Sequence, residues 1–240
     1  VVAMPSPSVD HGRLLAHEEL KSYIEDWCKA VKAGNQVPHP GIIGPSGKGK
    51  TEIIKATLTA AFGPEGKGWL YGGPTIQPAN AHILLYKASQ VPDGRDCLPI
   101  FLDDPLSLFD QVLGRRWLFG VLEHKKWRLA SYETKEMRKK NAPAPDQVWT
   151  NSPIIFASNR VATRTANSAV QAILDRMRLK CYDPSAIDTH RYVATWFWNQ
   201  EIHDGFGSYL PYIKDLSCRL YTDCWHEMQT VSYTHLTLPT

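Results

Sequence analysis

Three features of the 240-residue sequence predict an α/β chain, a three-layer parallel-sheet core followed by a small helical lid. Short apolar segments of strand length alternate with segments of helical period through the first two thirds of the chain, as crossover-connected parallel strands require. A glycine-rich loop stands between one such strand and the helix after it, the order a phosphate site uses. From residue 166 onward only helical patterns remain, at 169–177, 185–199 and about 215–228.

Residues 17–33 place Leu20, Tyr23, Ile24, Trp27 and Val31 at helical spacing, and Gly34-Asn35 supplies a stop. Pro40 to Ile43 reads as a short strand, and residues 51–62 as a buried helix through Ile53, Ile54, Ala56, Leu58 and Ala61. Residues 69–71 suggest a second strand, and 79–91 a second helix after Gly72-Gly73-Pro74. Residues 97–102 are apolar throughout, as expected of a strand covered on both faces. A helix at 106–122 and another apolar strand at 152–157, ending at Ser158-Asn159-Arg160, complete the core.

The boundaries predicted are an N-terminal segment 1–14 without order, a core 15–165, a lid 166–230 and a tail 231–240. The last ten residues resemble a translated sequencing adapter, so the tail is expected to be non-native and stays outside the fold reasoning. Apolar residues are 43% and charged residues 21%, which excludes a disordered or fibrous chain. The net charge of +3 makes no whole-chain case for a nucleic-acid partner. Five scattered cysteines lack the paired spacing of a structural zinc site and read as free thiols. No apolar run reaches the ~20 residues of a membrane span, and a cytoplasmic location is expected.

The motif Gly44-Pro45-Ser46-Gly47-Lys48-Gly49-Lys50-Thr51 fits G-x-x-x-x-G-K-[ST]. Glycines let the main chain curl so that successive N–H groups face phosphate oxygens, and the following helix adds its positive end. Lys50 is then expected on the β- and γ-phosphates of ATP and Thr51 on Mg2+, while Lys48 reads as a solvated loop charge. Ile100-Phe101-Leu102 ends in Asp103-Asp104. A strand beside the phosphate-loop strand would bring Asp103 to the metal, where a carboxylate can hold a metal-bound water.

These two motifs resemble those of AAA+ P-loop ATPases, and the likeness extends over most of residues 15–228. The stretches 101–104, 127–132, 152–159 and 182–197 are similar to bacterial and phage AAA+ proteins. The resemblance implies that Asp104 stands where the family carries a glutamate that polarises the attacking water, one methylene longer. Asn159 matches the sensor asparagine, with a turn or cap residue as the alternative. Arg176, within Ala172 to Arg178, matches the arginine finger that enters a neighbouring subunit's site, which implies a homo-oligomer. Arg219 matches the lid arginine that senses the γ-phosphate, with a helix-face salt bridge as the alternative.

Between Arg115 and Lys140 nine Lys and Arg stand against three Glu, with Trp117, Trp127 and Tyr132 interleaved. Basic groups follow a phosphate backbone and aromatic rings stack on bases, so nucleic acid is one reading. A solvated charged face over core tryptophans is the other. The function expected is hydrolysis of Mg-ATP by an oligomeric AAA+ ATPase, acting on DNA in remodelling or replication. An ATP-gated assembly switch with little hydrolysis and a P-loop kinase are the alternatives.

Overall fold

The computed structural model describes residues 14–91, 96–139, 141–159 and 168–236, with side chains up to residue 230. The segment 1–13, Lys140, Arg160 and the last four residues of the tail lie outside this range. The chain forms two compact units, one of Ser22–Gly44 with Thr51–Cys181, the other including Pro45–Lys50 and the chain from Tyr182 on.

The larger unit holds a five-stranded parallel sheet of order β2-β3-β6-β1-β7, made from β1 (His39–Ile43), β2 (Leu70–Gly72), β3 (Ile100–Asp103), β6 (Ile154–Ser158) and β7 (Met177–Cys181). A separate antiparallel pair joins β4 (Arg128–Ser131) to β5 (Gln147–Thr150). Helices α1 (Leu15–Lys32, of which the part from Ser22 on belongs to this unit), α2 (Lys50–Phe62, from Thr51 on), α3 (Pro78–Ser89), α4 (Leu106–Asp110), α5 (Val112–Val121) and α6 (Ser168–Leu174) accompany the strands. Ile100 and Leu102 of β3 and Ile154 and Phe156 of β6 pack with Leu85 of α3, Trp117 and Leu118 of α5 and Ile173 of α6. The alternate residues Phe101 and Ile155 are also fully buried, so both faces of these strands are covered and period-two patterning disappears from their sequence.

Helix α1 ends where the sequence reading places its stop. Asn35 N–H reaches Ala30 O at 3.1 Å and Gly34 N–H reaches Val31 O at 2.9 Å, the two bonds of a Schellman cap around Gly34 at φ 69°.

The structure departs from the sequence reading in four places. The helix expected at 106–122 is broken at Gln111, which is extended at ψ 141°. Arg115 accounts for the break, because its guanidinium takes the Phe109 and Asp110 carbonyls at 2.8 and 2.7 Å, groups that a continuing helix would use. The β4–β5 pair was not foreseen. The segment 177–181 is a strand paired in parallel with β1, so the sheet extends beyond residue 165, into a region read as helical. Finally, β3 does not lie beside β1, since β6 separates them.

The smaller unit contains α7 (Ala186–Ala194), α8 (Gln200–Tyr209) and α9 (Cys218–Leu236), whose course includes the first six residues of the predicted tail. Ser185 and Asp188 form a reciprocal capping box at the start of α7, and Asn199 caps α8. Val193, Phe197, Ile202, Leu216, Cys218 and Tyr221 make its core. Among the described residues no helix is long and apolar enough to cross a membrane.

Candidate functional site

The phosphate-loop sequence begins as β1 ends. Gly44 N–H still donates to Ser158 O at 3.2 Å, one step beyond the strand, and α2 opens six residues later at Lys50. Gly47 and Gly49 take φ of 71° and 88°, a left-handed conformation that side chains resist. Both glycines also admit close neighbours within the smaller unit. A Cβ at Gly47 would lie 2.0 Å from Ser217 Oγ, and one at Gly49 would lie 2.7 Å from the Tyr192 ring. The loop carbonyls are tied as well, with Cys218 N–H on Gly47 O at 2.7 Å and the Tyr182 hydroxyl on Lys48 O at 2.8 Å.

Lys48 is not the solvated charge that its variable position in the motif suggests. It is 2% exposed, donates to Leu216 O at 2.8 Å and pairs with Asp215 Oδ1 at 2.8 Å. The cause is local packing, because the loop is embedded among the segments that lead into α7 and α9, and a buried ammonium needs partners. Lys50 is buried too, and its ammonium donates to Pro45 O within the same loop. Ser46 is exposed.

In the larger unit the two carboxylates have separate environments. Asp103 Oδ2 accepts from Thr51 Oγ1 at 3.0 Å and from the Tyr71 hydroxyl at 3.1 Å. Burial, then the Asp103 charge, pushes the Tyr71 phenol up to about 12, so it stays a donor. Asp104 occupies φ 47°, the left-handed region that aspartate tolerates better than most residues. Its Oδ1 accepts from Ser158 Oγ at 3.0 Å and from Asn159 N–H at 3.4 Å, and its Oδ2 from Asn159 Nδ2 at 3.2 Å. Sequence reasoning named Asp103, Asp104, Thr51 and Asn159 but missed Tyr71 and Ser158. Ser158 ends β6, and that strand-end position was a signal that could have found it, whereas Tyr71 is the middle residue of β2 and carried no such signal.

Register explains the meeting. Asp103 pairs with Ala157 and Ile43 with Ser158, so the carboxyl ends of β3, β6 and β1 lie in line. Ligands of open α/β sheets bind at that edge. A strand inserted between the phosphate-loop strand and the acidic strand corrects the expectation that those two are neighbours, yet Thr51 and Asp103 still meet across it. The fold is that of an α/β P-loop NTPase core, a parallel sheet with the glycine loop between β1 and α2.

No protein-family model matches the sequence, and no curated protein sequence matches it. Among solved structures, NtrX from Brucella abortus in complex with ATP is 16% identical over 75% of this chain and 39% of its own, at a TM-score of 0.43. RuvB from Thermotoga maritima is 11% identical over 74% of this chain and 50% of its own, at 0.42. The Cch active helicase of SCCmec type IV is 13% identical over 92% of this chain and 38% of its own, at 0.38. The chain thus spans half or less of the length of these proteins, and at such scores the fold assignment stands on the parallel sheet and the phosphate loop.

The remaining predicted residues are dispersed. Arg176 lies in the turn before β7, where its guanidinium donates to Phe119 O at 2.8 Å and lies 4.7 Å from the Phe119 ring. Arg219 stands exposed in the first turn of α9, and the alternative salt bridge on that helix face is absent among the described residues. Of the basic segment, Arg115 caps α4, while Arg128 is buried against His39 and Ser152 O. Trp117 and Tyr132 are core residues, which leaves Trp127 as the exposed aromatic among the three.

Proposed function

We propose that the chain binds Mg-ATP through its phosphate loop and hydrolyses it as an oligomeric AAA+ ATPase acting on DNA. The observation that supports this most is the 3.0 Å contact between the Thr51 hydroxyl, one residue after the loop lysine, and the Asp103 carboxylate. Two oxygens bound at neighbouring corners of an octahedron with bonds of 2.0–2.1 Å lie about 2.9 Å apart, so this pair fits magnesium. Among the described residues no group of three or more His, Cys, Asp or Glu could hold a metal, which suits an ion that relies on phosphate oxygens and water for its other ligands. Bound there, magnesium would neutralise charge on the β- and γ-phosphates.

Lys50 would exchange its bond to Pro45 O for phosphate oxygens. Tyr71 holds Asp103 toward Thr51 without competing as a charge. Asp104 has roughly four acceptor sites and spends three on Ser158 and Asn159, which leaves one on Oδ2 to orient a water proton. Positioning of that water dominates phosphoryl transfer. Arg176 would serve a neighbouring subunit only after giving up Phe119, and Arg219 is free to meet the γ-phosphate from the lid. A second reading, an ATP-gated switch with slow hydrolysis, is favoured by the same three bonds, since a carboxylate so well held and one methylene short of glutamate has little freedom to follow the water.

Steady-state phosphate release with magnesium and ATP, with and without single-stranded DNA, tests the proposal. Turnover that falls at least about a hundredfold in Lys50→Ala supports it. Turnover equal to wild type in Lys50→Ala removes it, and tight ATP binding with negligible release in the wild type selects the switch.

A further inference from the structure

The β4–β5 pair shows the solvent a face that neither the core nor the nucleotide residues use. Inward, Arg128, Ala130, Val148 and Thr150 are buried; outward, Trp149 of β5 is 64% exposed and stands opposite Leu129 of β4. Trp127, 50% exposed, immediately precedes β4 and is two residues from Leu129. Trp127 lies in the bend that leads into β4, next to Arg128, which pairs with Thr150, the neighbour of Trp149, so both indoles belong to the same end of the pair.

Charge brackets this pair of indoles. Lys125 and Lys126 precede β4, and Lys135, Arg138 and Lys139 lie in the connection between β4 and β5, all exposed. Glu123 pairs with Lys125 at 3.2 Å and Glu133 with Arg138 at 2.7 Å, while Lys126, Lys135 and Lys139 have no carboxylate partner among the described residues. Cations thus stand at both ends of a face about 13 Å long that carries two flat rings. Lysine is depleted from protein interfaces, so a protein partner fits this combination poorly. A membrane would be met by a protruding apolar tip, whereas here the indoles lie at one end of the pair and the connection is charged.

We propose that this face binds single-stranded nucleic acid, with Trp127 and Trp149 stacking on successive unpaired bases and Lys126, with the lysines of the connection, following the phosphates. The proposal deepens the DNA-directed reading above by naming the strand state and the residues, but it needs no nucleotide at the phosphate loop. A duplex hides its base faces and offers these rings nothing to stack on.

The test is fluorescence anisotropy of labelled dT20 and rU20 at low salt, alongside quenching of the intrinsic tryptophan emission and binding of a fluorescent ATP analogue. Saturable dT20 or rU20 binding that exceeds binding to a duplex is expected, the two arms showing which sugar is preferred. Each of Trp127→Ala and Trp149→Ala should lose roughly five- to a hundredfold in affinity, and Trp149→Phe should retain most of it. Lys126→Ala should lower the slope of log affinity against log salt by about one. All four variants should keep ATP-analogue binding, and Lys50→Ala should lose it while keeping dT20. The proposal is overturned if Trp127→Ala/Trp149→Ala binds dT20 as the wild type does. It is equally overturned if the wild type binds neither strand, whether or not the double variant alters self-association or binding to anionic vesicles. Loss of ATP-analogue binding by the wild type alone would count against the ATPase reading and leave this face intact.

Discussion

Replacing Lys48 by methionine separates two accounts of a phosphate-loop residue whose ammonium is held by Leu216 O and Asp215. Methionine keeps most of the stem and deletes the ammonium, so packing changes little and the polar partners decide the cost. Leu216 is fully buried, and its carbonyl would lose the 2.8 Å bond, which costs about 1–3 kcal/mol for an unsatisfied group. Asp215 is 72% exposed and is rehydrated when its partner leaves, so the ion pair adds about 0.5 kcal/mol after solvent screening. Lys48→Met should therefore destabilise by about 2 kcal/mol, and Asp215→Ala by less than about 1 kcal/mol. For a chain of this length the first corresponds to a fall in Tm of about 4–8 °C and the second to about 2 °C. Differential scanning fluorimetry and urea titration of both variants measure the two numbers, and ATP-analogue affinity should follow the same order, since Tyr182 and Cys218 hold the loop from the same side. Equal losses in the two variants would show that the ion pair and not the buried carbonyl is what matters, and no loss in either would return Lys48 to a solvated charge.

Asp104→Asn preserves left-handed tolerance and size, so the variant should fold as wild type while kcat for phosphate release falls about a hundred- to a thousandfold and KM stays within about threefold; unchanged kcat refutes a role in orienting water. Stability should also fall on acidification. Burial pushes His17 and His190 down to about 4, and His39, which also faces the Arg128 charge, down to about 3. Above the ordinary histidine value of 6.5 these rings are neutral in both states; between 6.5 and about 4 only the unfolded chain takes up the protons. The urea midpoint should therefore drop steadily from pH 7 to pH 5, and a flat midpoint over that interval would show that these rings are protonated in the folded protein.

The elements that were legible in the sequence are those whose burial leaves one consistent pattern. Strands β1, β3 and β6 are covered on both faces and read as apolar runs, and α2 follows a loop whose glycines mark its start. The β4–β5 pair was not legible because its alternation is inverted. Its inward positions include Arg128 and Thr150 and its outward ones include Trp149, so polarity does not report which face is buried. Strand β7 alternates Met177, Arg178, Leu179, Lys180 and Cys181 with none of them fully buried, a weak period-two signal that directly follows a helical one. Lys48 was misread for another reason. Its partners come from residues 215 and 216, and no local pattern around the loop encodes a contact so distant in sequence.

The order of strands decides what the second acid can do. If β3 lay beside β1, the residues next to Asp104 would be those at the start of the phosphate loop, which offer main-chain groups and Pro45 but no side-chain donor before Ser46. With β6 between them, the register that sets Asp103 against Ala157 brings the next two residues, Ser158 and Asn159, beside Asp104, and all three donors to its carboxylate come from that pair. A hydroxyl and an amide do not titrate near neutrality, so they hold the carboxylate in one rotamer without adding a charge that would compete for phosphate. Apolar periodicity reveals that β6 exists but not its neighbours. The pairing of Asn159 with Asp104 is therefore a property of topology, and exchanging Asn159 for alanine removes the side-chain bond to Asp104 Oδ2 while the main-chain N–H keeps its bond to Oδ1.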